Sequence, residues 1–346
     1  MAAKMTAGST AEKKRSSGPQ VCLVLLALVC FVGCSSNSSR AYTAITQAPP
    51  SNAPVVVPAQ DKAPPPQQTG GFDGQKAYDF TAKLVSFGPR PSGSTAIQRT
   101  QNYIYSQLHG DGCQISEDHF HAQTPIGVIP MTNIIAKVPG AGKNIILLMT
   151  HYDTKRIPGF VGAEDGGSST GLMLEMARLL CAKSAKPRPV SIWMAFLDGE
   201  EAMVHWNQDD DHTYGSRELV ARLELNGELQ NIKAVILADM IGQKGLTMKR
   251  ESSSTPWLVN MIWNIAAKLG YSKIFVSQST SVSDDHDPFL AKHIPAVDLI
   301  DLDDYIAEGY WHTTQDTMDK ISPKSLAIVG HVMLASVDAL EAKFAK

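Results

Sequence analysis

Acidic and histidine side chains in this chain gather where short apolar runs end. Thr150-His151-Tyr152-Asp153 closes the run Asn144–Thr150, Asp198-Gly199-Glu200-Glu201 follows Val190–Leu197, and Asp239 follows Ala234–Ala238. Asp298 lies inside the run Ala296–Ile300, and Trp311-His312 stands in the loop beyond it. Such donors suit zinc, which takes imidazole nitrogen and carboxylate oxygen in tetrahedral geometry and, in a catalytic site, leaves one position open. Three protein ligands are needed, and Asp165, Glu201 and His312 offer them. Asp165 sits in Gly162-Ala163-Glu164-Asp165-Gly166-Gly167, a glycine-lined turn opening onto a helix, where backbone can come close to an ion. Glu200 and Glu201 are adjacent and cannot both face one way in extended chain. One can ligate while its neighbour meets substrate as a general acid/base. Each residue alone has a plainer reading: Asp165 as a helix N-cap, the glutamate pair as a solvated turn, His312 as a structural histidine. Their occurrence together at several strand ends is what points to a site.

The elements that must carry these groups follow from periodicity. Helical spacing covers Gln75–Phe87 and Ala96–His109, separated by the breaker Gly88-Pro89-Arg90-Pro91-Ser92-Gly93. Strands are expected at Cys113–His121 and Ile129–Val138, and continuous apolar runs mark strands buried on both faces at Asn144–Thr150, Val190–Leu197, Ala234–Ala238 and Ala296–Ile300. Between and after them, Ser169–Ala182, Gly215–Leu223, Pro256–Leu269 and Ser322–Phe344 read as helices. This alternation predicts an α/β fold with a single mixed, mostly parallel twisted β-sheet flanked by helices. In such sheets, ligands bind beyond the carboxyl ends of the strands, which is where the acids and histidines fall.

The chain has 346 residues, 43% of them hydrophobic, and a net charge of −3, so it can bury one large core and carries no basic field to gather nucleic acid. Its start differs from the rest. Lys4, Lys13, Lys14 and Arg15 precede the apolar run Val21–Val32, which is of signal-peptide length and short for a membrane span. The ending Phe31-Val32-Gly33-Cys34 resembles a bacterial lipobox, with Phe31 where leucine is usual. On that reading residues 1–34 are a lipoprotein-type signal, Cys34 is lipidated, and the protein is exported to the periplasm or cell envelope. An ordinary cleaved signal or an uncleaved anchor are the alternatives. Residues 35–71, rich in Pro, Ser, Ala and Gln, read as a tether, leaving 72–346 as the catalytic domain. Only Cys113 and Cys181 fall in that domain, and they are expected as unpaired thiols.

In order, Thr150-His151-Tyr152-Asp153, Gly162-Ala163-Glu164-Asp165, Asp198-Gly199-Glu200-Glu201-Ala202 and Trp311-His312-Thr313 resemble the zinc aminopeptidase family, over roughly Phe72 to Lys346. Asp198–Ala202 followed by His205-Trp206 and Tyr214-Gly215-Ser216-Arg217, with Ser283-Asp284-Asp285-His286-Asp287-Pro288-Phe289-Leu290, is similar to its glutaminyl cyclase branch. The resemblance implies zinc, one ion per chain, on Asp165, Glu201 and His312, and Glu200 as the acid/base. It further implies Asp239 and Asp284 as an acid network beside Glu200, and Trp206 and Trp311 as aromatic walls around the substrate. Asp298 stands where animal cyclases carry a histidine and is expected to take over its hydrogen-bonding role at the substrate site. The implied partners are peptides with N-terminal glutamine, with no nucleic acid, membrane contact only through Cys34, and a monomeric chain. His151 and Asp239 match residues that hold a second zinc in dinuclear aminopeptidases, so an exported aminopeptidase is the second reading. A binding domain that has kept the fold without the chemistry is a third, and it is weakened by the presence of every ligand.

Overall fold

The computed structural model describes residues 57–182, 188–206 and 210–345, so Cys34 and the signal region lie outside the described residues. Among the described residues, eight strands and eight α-helices follow each other. They are α1 (Gly74–Val85), α2 (Thr95–Gly110), β1 (Gln114–Thr124), β2 (Gly127–Val138), β3 (Ile145–His151), α3 (Ser169–Leu180), β4 (Ser191–Leu197) and α4 (Tyr214–Leu225). The second half holds β5 (Ile232–Asp239), β6 (Met248–Glu251), α5 (Pro256–Lys268), β7 (Phe275–Thr280), α6 (Asp287–Ala291), β8 (Ala296–Ile300), α7 (Leu302–Ala307) and α8 (Pro323–Phe344). Six strands form the main sheet in the order β1-β2-β4-β3-β5-β8. β1, β2 and β4 pair antiparallel, while β4, β3, β5 and β8 run parallel.

The apolar runs are continuous because both faces of the parallel half are covered. Ile146, Leu148, Ile192, Met194, Phe196, Ala234 and Ile236 point into one cluster with α1, α2, α3, α5 and α8. Their neighbours Ile145, Leu147, Met149, Trp193, Ala195, Val235 and Leu237 point into the other, under α4 and α6. Successive side chains alternate between the two clusters, as strand geometry requires.

The central sheet is the one expected, and two other expectations are corrected. Cys113 and Cys181 form a disulfide, Cα to Cα 5.0 Å, joining the residue before β1 to the residue after α3. The tether ends earlier than residue 71: Val57 packs on the core, Thr69 is buried, and the carbonyl of Asp61 accepts from Ser322 Oγ at 3.5 Å. β6 and β7 add a separate two-stranded parallel sheet. Their sequences, Met-Lys-Arg-Glu and Phe-Val-Ser-Gln-Ser-Thr, are too short and polar to announce strands.

Candidate active site

The carboxyl ends of the parallel strands converge. His151 is the last residue of β3, Asp239 the last of β5, and Asp198–Glu201 leave β4 directly. Asp165 comes from the turn before α3, whose backbone leaves helical geometry at Asp165 (φ −77°, ψ 107°) and Gly166 (φ 71°). Glycine is required there: a Cβ on Gly166 would come within 2.6 Å of the Asp153 carbonyl and 2.9 Å of His151 Cε1. His312 also sits at positive φ (52°), a strained conformation for a residue with a side chain, as is common where a site over-determines its backbone.

Asp165, Glu201 and His312 come together as the sequence implies. His312 Nε2 lies 3.3 Å from Asp165 Oδ2 and 3.2 Å from Glu201 Oε1. Both carboxylate oxygens are buried, and no hydrogen bond satisfies either among the described residues. Two carboxylates and an imidazole within 4.8 Å of one another are a zinc donor set, and orphaned buried acceptors of this kind want a cation. The residues present fit the metal. Burial alone would lower the His312 imidazole, but Asp165 and Glu201 hold it up at about 9. Lys155 Nζ, 3.3 Å from Glu201 Oε2 and from the Ala202 carbonyl, orients the glutamate from behind.

A second donor set, His151, Asp165 and Asp239, shares Asp165 with the first. His151 Nε2 is 3.0 Å from Asp239 Oδ1 and 3.3 Å from Asp165 Oδ1, while its Nδ1 faces Asp153 Oδ1 at 3.4 Å and Glu200 Oε2 at 3.7 Å. His151 therefore lies between Asp239 and Glu200. Burial pushes the Glu200 carboxyl well above its ordinary value; His151 opposes this, and Glu201, Asp284 and Asp285 add to it. Asp284 is raised in the same way, by burial and then by Asp239 and Asp285.

A cavity of about 300 Å³ opens over the first set. Glu200, Glu201, Asp165, Asp239, Asp284 and His312 line its polar side, and Trp206, Trp311, Met240, Val282, Ile300 and Leu302 its apolar side. Both candidate tryptophans are thus at the wall. Trp311 stacks on His312 with ring centroids 3.9 Å apart. Asp298 is a correction. It is fully buried and does not line the cavity; the residue that does is Ile300, two positions on and so on the same face of β8. No hydrogen-bond donor among the described residues reaches either Asp298 oxygen, and burial followed by Asp284 and Asp239 pushes its carboxyl well up. It is held away from the cavity surface, behind the residues that line it.

Two residues that build the site escape a reading of the sequence. Asp153 accepts from the backbone N–H groups of Glu200 at 3.2 Å and Glu201 at 3.4 Å, fixing how the pair splits. Arg90, fully buried, donates to the carbonyls of Tyr152 (2.8 Å), Val161 (2.5 Å) and Gly162 (2.9 Å). The only signal was the Gly-Pro-Arg-Pro breaker, which reads as an exposed turn.

Residues 133–337 match the profile of Peptidase family M28. A glutaminyl-peptide cyclotransferase-like protein from Bos taurus is 28% identical over 273 residues, which are 70% of this chain and 70% of that one. Among solved structures, an Acidobacteriales bacterium glutaminyl cyclase is 38% identical with a TM-score of 0.74, covering 83% of this chain and 99% of its own. A Zn-dependent exopeptidase from Parabacteroides distasonis is 28% identical with a TM-score of 0.68, covering 77% and 98%.

Proposed function

Because the chain belongs to peptidase family M28, we propose that it is a zinc-dependent glutaminyl-peptide cyclotransferase, closing N-terminal glutamine to pyroglutamate with release of ammonia. The cyclase relatives support the reaction class. The observation that carries the reading is Glu200, set in the wall of a cavity that the metal donor set and two tryptophans also line. We take the metal as one zinc per chain on Asp165, Glu201 and His312, since all three line the cavity whereas His151 of the second set does not.

Zinc bound there supplies Lewis-acid polarisation of the γ-carbonyl of the substrate glutamine. The protein's own groups do the rest. Trp206 and Trp311 enclose the side chain so that its carbonyl carbon faces the substrate's own α-amine, and holding that geometry removes much of the barrier. Glu200 takes the proton that the amine loses as the new C–N bond forms, and returns it to the amide nitrogen as that C–N bond breaks and ammonia departs. Asp239 and Asp284 act as the acid network. Asp239 holds His151, which faces Glu200, and Asp284 opposes ionisation of Glu200. Asp298 supports the network from beneath.

The substrates are peptides and proteins with N-terminal glutamine, and the chain acts as a monomer without nucleic acid. Export fits the Cys113–Cys181 disulfide, which persists in oxidising compartments. With Lys4 to Arg15 and Val21–Val32, it supports a lipoprotein-type signal at 1–34 and a lipid anchor at Cys34, a tether from 35, and a periplasmic or envelope location for the catalytic domain.

The second reading, an exported aminopeptidase with two zinc ions, is favoured by the second donor set sharing Asp165. Glutaminyl-aminomethylcoumarin separates the two. Fluorescence that appears only when pyroglutamyl peptidase is added means cyclisation; fluorescence without it means direct amide hydrolysis and removes the cyclase reading.

A further inference from the structure

We propose that Asp316 is a positioning residue for the metal site, tying the turn that carries Asp165 to the loop that carries His312, with Tyr305 fixing Asp316 in turn. The inference rests on the zinc reading above.

Asp316 is fully buried, four residues beyond His312. Its Oδ1 accepts from the backbone N–H of Glu164 at 2.8 Å, and its Oδ2 accepts from that of Asp165 at 3.2 Å, 151 positions away in the chain. These two amides precede α3, where the backbone is not helical, and buried amides without a partner are costly. One carboxylate satisfies both, and hydrogen bonds to an ionised acceptor are the stronger kind. Arg90 grips the same turn from its other side, through the carbonyls of Val161 and Gly162. An aspartate side chain has two torsions, so fixing the Asp165 backbone largely fixes where its oxygens can reach. Those oxygens belong to both donor sets.

At the other end, Asp316 N donates to the Thr313 carbonyl at 3.2 Å, and Thr313 N to the Tyr310 carbonyl at 3.1 Å, so the loop after His312 is tied back at both ends. His312 holds φ 52° in that loop. Tyr305, fully buried on α7, donates its hydroxyl to Asp316 Oδ1 at 2.6 Å. Asp316 is thus held from one side and holds from the other, and it touches neither cavity nor substrate.

The test is zinc affinity of the full-length protein by competition with a chromophoric chelator, alongside thermal melting of the metal-free forms. Asp316→Asn replaces one acceptor oxygen by an amide that points a donor at a donor; zinc should bind about 10- to 100-fold more weakly. Tyr305→Phe should weaken it less, and the double variant no further than Asp316→Asn alone, because Tyr305 works through Asp316. A merely structural role would lower the melting temperature of the metal-free protein and leave zinc affinity unchanged. Affinity of Asp316→Asn within twofold of wild type overturns the proposal. If that variant does not fold, Tyr305→Phe decides, and unchanged affinity there overturns it equally. Wild-type protein that takes up no zinc would sink the metal reading itself, and this inference with it.

Discussion

Trp206 and His212 lie face to face, with ring centroids 4.3 Å apart and planes 10° from parallel. The cavity wall at Trp206 is therefore backed by a histidine from the far end of the same loop. Burial and then Arg217 lower the His212 imidazole, so it is neutral at pH 7. The near arm of the loop is pinned by Asp211, which accepts from the N–H groups of Met203 (3.1 Å), Val204 (2.8 Å) and His205 (3.0 Å). Replacing His212 by alanine removes the stack, worth about 1 kcal/mol. KM for a glutaminyl peptide should rise roughly fivefold by the RT conversion, with kcat little changed. Steady-state kinetics check this, and an unchanged KM would mean that Trp206 is held by other contacts.

Glu200→Gln keeps the shape of the wall and removes the proton carrier. It should retain stoichiometric zinc by elemental analysis and lose about 100- to 10,000-fold in kcat. Wild-type turnover in this variant would take Glu200 out of the mechanism.

His312→Ala removes the only imidazole of the first donor set and should leave purified protein without zinc at that set. Chelation of the wild-type protein should abolish turnover, and added zinc should restore it. A His312→Ala protein that keeps full zinc and activity would show that the metal lies elsewhere, with the second donor set as the alternative.

The metal-free protein should show an inverse response to pH. His312 has its folded pKa raised to about 9 from 6.5, so its contribution to stability is complete below pH 6.5 and is lost as pH rises through 9. Asp198 and Asp285, raised to about 7 by burial, act with the same sign at lower pH. Thermal melting after chelation should therefore fall between pH 6.5 and 9, and the zinc-loaded protein should not follow it, since a ligated imidazole is already neutral. Identical profiles for both forms would mean that His312 does not meet the metal.

The Cys113–Cys181 bond closes a separation of 68 residues, and a loop of that length stabilises by about 4 kcal/mol in the chain-entropy account. Cys113→Ser with Cys181→Ser should lose stability of that order in urea unfolding. Because α3 begins at the Asp165 turn and ends at Cys181, the bond lies at the end of the helix away from the site, and kcat at 25 °C should be preserved. A large loss of kcat in a folded double variant would show that the bond reaches the site through α3.

What could be read in advance was set by periodicity and by residue type at strand ends. The runs at β3, β4, β5 and β8 are continuous because helices cover both faces, and Asp165, Glu201 and His312 meet because those strands end at one rim. What could not be read depends on distance or on backbone partners. Cys113 and Cys181 carry no mark of proximity. Arg90, Asp153 and Asp316 act on main-chain N–H and C=O groups, which every residue has, so their types gave no hint of their targets. Asp298 is expected at the substrate because it stands where animal cyclases carry a histidine, but it is fully buried and does not line the cavity, although it shares a face of β8 with Ile300, which does.

The two donor sets are drawn from His151 to His312, and α8, which follows them, packs on α1, which precedes them. During synthesis the first donor set cannot exist until His312 has left the ribosome, long after α1 and the segments that carry the other ligands. No early fragment holds the whole cage. Metal capture is thus a late event of folding, and whatever compartment the chain folds in must also supply the zinc.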